Sequence, residues 1–271
     1  YLGCCRHTSL QLGFGIPMAT DIAFSITLLS LLGKRVPHSL KIFLTTLAIA
    51  DDLGAMLVIA LFYTGNLHVL WIGLALLCIA GLYMFKRIKV PYLALYLLAG
   101  ALLWYCLNAG GLQPTLAGFI TAWMIPARSG KQQPASRLEQ YLHKPVTYCI
   151  LPLFALSHTA LPLHGASFKG LVQAHTLGIF LGLCAGKPLG ILLFTRIGTL
   201  LGLCQKPTGI RYIHLLWTGS LAGIGFTMSI FISLLAFPSV TMQQESLAAI
   251  LLASLCSGLV GLTGLRFSLP S

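Results

Sequence analysis

Three of the chain's five acidic residues, Asp21, Asp51 and Asp52, fall inside long apolar runs, and one lysine, Lys187, shares that setting. A charge at a bilayer centre costs roughly 2.5 to 3.5 kcal/mol on insertion scales, so an intramembrane carboxylate marks a functional site by default. Asp51 stands nine residues past the start of its run at 42 and Asp21 ten past the start of its own at 11. At 1.5 Å rise per residue both lie about 14 Å deep. The Lys187 stem reaches only about 6 Å, too little to carry its ammonium to either surface, so it calls for a carboxylate partner. Successive helix residues point about 100° apart, so one of Asp51 and Asp52 can meet Lys187 while the other faces an ion. Three carboxylates against one ammonium leave excess negative charge, which a bound cation or proton balances. The plainer reading is a set of buried ion pairs holding helices together, and it has most force for Lys187.

Helix breakers surround these residues. In GFGIPMATDIAF, Pro17 removes a backbone hydrogen bond just before Thr20 and Asp21; in GSLAGIGFTMSIF, Gly223 and Gly225 loosen a second run before Thr227 and Ser229. Two interrupted helices crossing at mid-membrane offer free carbonyls and dipole ends to a cation. Around Lys187, Gly178, Gly182, Gly186 and Gly190 repeat every four residues, a stripe expected to pack closely on a neighbouring helix. His158 also falls inside a run, where its imidazole suits a proton carrier or, as the favoured expectation, a packing role.

The elements that must carry these residues follow from composition. At 57% hydrophobic and 8% charged, the 271 residues are those of a membrane protein. Polar breaks divide them into nine runs of near bilayer length, at 11–33, 42–64, 69–85, 91–109, 113–127, 146–163, 174–196, 212–237 and 247–266. One transmembrane domain over 1–271 is expected. Lys and Arg alternate between rich and poor connections, which puts the basic connections and the carboxy terminus in the cytoplasm. The net charge of +12 is spread over those short clusters, not along one face, so a nucleic-acid partner is not expected. The eight cysteines form no CxxC pair, and no metal framework or disulfide is read from them. A start at Tyr1, with no basic and then apolar leader, reads as a fragment truncated at its amino end.

The stretches ATDIAF (19–24), RVPHSLKIFL (35–44), LAIADDLGA (47–55), TLAGF (115–119), LPLFA (151–155), GKPLGI (186–191) and GIGFTMSIFI (223–232) resemble the bacterial NhaA-type sodium/proton antiporters over nearly the whole chain. The resemblance implies an all-α transmembrane bundle of the NhaA inverted-repeat fold, here lacking about three of roughly twelve spans, with two crossing discontinuous helices. It implies a secondary antiporter of the bacterial inner membrane, not an enzyme, with no cofactor. Its substrates are Na⁺ or Li⁺ and H⁺, its surroundings the lipid bilayer, and its role pH and sodium homeostasis; a homodimer is allowed for the full-length protein. Asp51 and Asp52 then hold Na⁺ and exchange it for protons, with Thr20 beside them. Asp21 balances charge at the helix crossing, Lys187 pairs with Asp51, and Pro17, Gly223, Gly225 and Thr227 belong to the broken-helix backbone. Glu139 and His143 fall on positions linked to pH response, whereas Gln113 and Gln140 stand where the family often has histidine. The rival readings are an intramembrane aspartyl protease, whose GxGD pattern is absent, transport of an organic anion with sodium, and a remnant that does not transport.

Overall fold

In lipid, backbone N–H and C=O groups must be satisfied within the segment, so apolar runs of this length resolve into helices. The computed structural model describes residues 1, 9–62, 68–90, 92–126, 134–150, 152–153, 156, 173–206 and 209–269, and among them every regular element is helical. A 3₁₀ segment, Ser9–Met18, leads into α1 (Ile22–Leu31) and α2 (His38–Phe62). Then come α3 (Val69–Ile88), α4 (Leu93–Ala109), α5 (Thr115–Met124) and α6 (Pro134–Pro145). After the residues outside the description follow α7 (Ala174–Leu181), α8 (Lys187–Leu200), α9 (Tyr212–Ala222), α10 (Phe226–Ala236) and α11 (Val240–Ser268).

The chain divides into two compact units, one of Tyr1–Ala55 with His158–Ser271 and one of Met56–Ser157. In the second, α3, α4 and α5 pack around Leu82, Tyr96, Leu103 and Ala117. Gly100 of α4 lets α5 approach: a Cβ there would lie 2.6 Å from Thr121 Oγ1. In the first, α9 lies along α11 because Gly261 and Gly264 make room for Leu221 and Trp217. Leu29, Leu40, Leu44 and Leu215 fill the core beside them. Large apolar side chains such as Leu77, Leu98, Trp123 and Phe194 stand exposed. In water that much apolar surface would drive association; in lipid it costs nothing.

Five described helical stretches are long and apolar enough to cross a bilayer, Gly13–Leu31, His38–Ala60, Val69–Ile88, Ala174–Leu200 and Val240–Ser268, and α9 with α10 makes a sixth if the bent pair is one span. Of the other expected spans, 91–109 and 113–127 appear as the shorter apolar helices α4 and α5, and most of 146–163 lies outside the described residues.

Candidate functional site

Helix ends leave carbonyls and N–H groups without intrahelical partners, and two such breaks meet in the first unit. The 3₁₀ segment ends at Met18 and α1 starts at Ile22, with residues 19–21 non-helical between them. The α9–α10 pair bends by 53° at residues 223–225. Gly223 is required there by close approach, since a Cβ would lie 2.4 Å from the Leu183 carbonyl oxygen.

Each break satisfies the other. The Asp21 N–H donates to Ile224 O at 2.6 Å and Ser25 Oγ donates to Leu221 O at 2.8 Å. In return Ser229 Oγ donates to Ile16 O at 2.8 Å. The Asp21 carboxylate, 4% exposed, accepts from Phe24 N at 3.3 Å and from Thr227 N and Oγ1 at 3.2 and 2.6 Å. It thereby caps α1 and α10 together. Each helix start carries about half a positive charge, so one carboxylate neutralises both.

A second cluster gathers around Lys187. Pro188 cannot donate to the carbonyl four residues back, and its ring crowds it; the backbone widens into a π turn at Gly182–Gly186 immediately before the lysine. The Lys187 ammonium donates to Met18 O at 2.6 Å and Ala19 O at 2.8 Å, the carbonyls freed at the first break. It also lies 2.5 Å from Thr20 Oγ1 and 3.1 Å from Asp51 Oδ2. Thr20 Oγ1 is 2.6 Å from Asp51 Oδ2 and 3.1 Å from Ala222 O, so its one hydrogen serves one acceptor at a time. The ammonium thus occupies an all-oxygen cage of the kind a hard monovalent cation takes. Asp52 is within electrostatic reach of Lys187, Asp51 and Asp21, and its Oδ1 is buried with no hydrogen-bond partner among the described residues. A buried carboxylate oxygen left unpaired is costly unless a proton or cation meets it.

Asp51, Lys187, Phe43, Leu47, Gly186 and Gly190 line a cavity of about 470 Å³ beside this cage. The glycine stripe therefore serves two ends. Gly178 and Gly182 take close contacts from Tyr1 and Pro17, but a Cβ at Gly190 would meet nothing within 4 Å among the described residues. The expected close packing holds for the first half of the stripe, while its second half opens space next to Lys187.

The residues marked in the sequence thus fall into two neighbouring groups: Thr20, Asp51, Asp52 and Lys187, and Asp21 with Thr227 between the breaks that Pro17, Gly223 and Gly225 flank. Glu139 and His143 stand exposed on α6 in the other unit. His158 lies outside the described residues. Sequence reasoning did not find the carbonyls of Met18, Ala19 and Ala222, which any residue type supplies, nor the buried pair His175–Glu245.

The family model described as Na⁺/H⁺ antiporter 1 matches residues 1–265. The chain belongs to that family. It is 48% identical over 265 residues to the Na(+)/H(+) antiporter NhaA 1 of Flavobacterium johnsoniae, covering 97% of this chain and 70% of that protein. With the Na(+)/H(+) antiporter NhaA of Flavobacterium psychrophilum the identity is 46%, over 97% and 69%. With the protein of that name from Vibrio campbellii it is 44%, over 95% and 67%. The family is one of secondary transporters, not enzymes, so the aspartates of this antiporter-family chain are not a protease dyad.

Proposed function

We propose that the chain exchanges Na⁺, or Li⁺, for H⁺ as a secondary antiporter of the bacterial inner membrane, serving pH and sodium homeostasis. The observation that carries this reading is the Lys187 ammonium held by four oxygens, one of them from Asp51, beside a buried oxygen of Asp52 that has no partner among the described residues. With Asp51, Asp52 and Lys187 all charged, the cluster has a net charge of −1, because Asp21 is neutralised separately by two helix starts. One Na⁺ or one H⁺ restores neutrality. Burying uncompensated charge is costly, so the two occupants exclude each other.

In this reading Asp51 and Asp52 bind Na⁺ with Thr20, and Lys187 gives up its cage oxygens as the cation enters. The 3₁₀ segment with α1, and α9 with α10, act as two discontinuous spans crossing at mid-membrane, with Asp21 and Thr227 fixing the crossing. Nine spans place the basic connections and carboxy terminus in the cytoplasm, and the bilayer is the chain's solvent. Glu139 and His143 on α6 contribute to the pH response, and the full-length protein forms a homodimer. Na⁺- and Li⁺-driven proton flux in everted vesicles tests the reading. Wild type dissipates a preset pH gradient when Na⁺ is added, whereas Asp52→Asn does not; undiminished flux in that variant rejects it.

A further inference from the structure

Pro188 leaves one backbone carbonyl without a helical donor whichever way the chain turns before it. In an α-helical turn the Cys184 carbonyl would look to the N–H of residue 188; in a π turn the Leu183 carbonyl would. Proline has no N–H to give to either. The chain takes the second course. The Lys187 N–H donates to Gly182 O, five residues back, and so releases Leu183 O. Leu183 is fully buried, and a buried carbonyl must find its donor elsewhere.

That donor comes from another helix. Ser257 of α11, 2% exposed, donates through Oγ to Leu183 O at 3.5 Å. Cys184 Sγ donates to Ala253 O at 3.4 Å, one turn earlier on α11, and Ser257 Oγ lies 3.5 Å from the same sulfur. The released carbonyl also abuts the second break. A Cβ at Gly223 would strike Leu183 O, and one at Gly225 would lie 3.1 Å from Leu183 Cδ2. Leu183 is thus wedged, by its carbonyl and by its side chain, against both glycines of the bend.

One residue more or less in this turn decides where Lys187 points. The two registers differ at Lys187 by one residue's rotation, about 100°. The π register aims the ammonium at Met18 O, Ala19 O and Asp51 Oδ2, and a rotation of that size would carry it off them. We propose that Ser257 is a positioning residue for Lys187: by holding the carbonyl that the π turn releases, it keeps the extra residue in the turn and the ammonium in its cage. It acts through Leu183 and the turn. The register stands on geometry alone, and its effect on transport rests on the antiport reading.

Thermal unfolding of the purified intact protein reads the register. Ser257→Ala is expected to lower the Tm by less in a Lys187→Met background than in wild type, because the ammonium that the turn aims is already gone. The same loss in both backgrounds assigns Ser257 to packing and overturns the proposal. Na⁺-driven flux in proteoliposomes reads the consequence. With the ammonium turned out of the cage Na⁺ has no competitor to displace, so Ser257→Ala should lower the KM for Na⁺ about 2- to 10-fold, the worth of one hydrogen bond. Ser257→Thr keeps the hydroxyl and should keep the wild-type KM. An unchanged or raised KM in a transporting Ser257→Ala protein overturns the positioning role and leaves antiport standing. Unequal Tm losses in a protein that moves no Na⁺ overturn antiport and leave the register.

Discussion

Thr20 carries one hydroxyl to three partners, Lys187, Asp51 and Ala222 O, and so joins the two breaks to the exchange cluster. Thr20→Val keeps the shape and removes the hydroxyl. We expect it to cost about 1–3 kcal/mol, the penalty for leaving buried polar partners unsatisfied, read by thermal unfolding in detergent. It should also raise the KM for Na⁺, with Thr20→Ser restoring most of both. Lys187→Met should be harsher, about 3–5 kcal/mol, because it strands Asp51 and the carbonyls of Met18 and Ala19. At this scale the sequence disclosed the charged groups but not their geometry. Asp21, Asp51, Asp52 and Lys187 stand out because charge in lipid is rare. Which carbonyls surround the ammonium does not, since backbone oxygens leave no mark in residue type. Glu245 was passed over because the last span was expected to begin at 247, two residues beyond it, whereas α11 begins at Val240.

Among the elements, glycines divide by what their missing side chain makes room for. A Cβ at Gly223 would strike the Leu183 carbonyl and Ser257 Oγ, so Gly223→Ala should destabilise by about 1–3 kcal/mol and disturb the bend that presents Ile224 O to Asp21. Gly190 faces open space inside α8, so Gly190→Ala should stabilise by roughly 0.5–1 kcal/mol through helix propensity alone. Thermal unfolding of the two variants side by side checks the opposite signs. Regular spacing made Gly178, Gly182, Gly186 and Gly190 legible as one packing stripe, and Gly223 legible as a helix breaker; the split between contact and cavity depends on which helix lies opposite, which spacing does not encode. The π turn was hidden for a similar reason. GKPLGI displays Pro188, yet whether a proline kinks a helix or widens it into a π turn is decided by the neighbours that pack against the bend, here α9 at Gly219.

For the whole molecule, hydropathy and the alternation of Lys and Arg were enough to read a helical membrane protein, because lipid admits few other solutions. The number of spans was less legible, since α4 and α5 are short and the bend at residues 223–225 falls inside a single apolar run. The orientation read from basic connections makes a separate prediction. In a variant whose one cysteine is Cys204, exposed in the connection that also holds Lys206 and Arg211, a membrane-impermeant maleimide should label everted vesicles and not right-side-out ones. In the proposed exchange a cation and a proton are alternative occupants of the cluster formed by Asp51, Asp52 and Lys187. Proton release on adding Na⁺ to the purified intact protein, measured by titration calorimetry in buffers of differing ionisation enthalpy, puts that exclusivity to the test. Protons should leave as Na⁺ binds, and the apparent affinity should fall as pH drops. Binding of Na⁺ with no proton released, and with an affinity indifferent to pH, would contradict it.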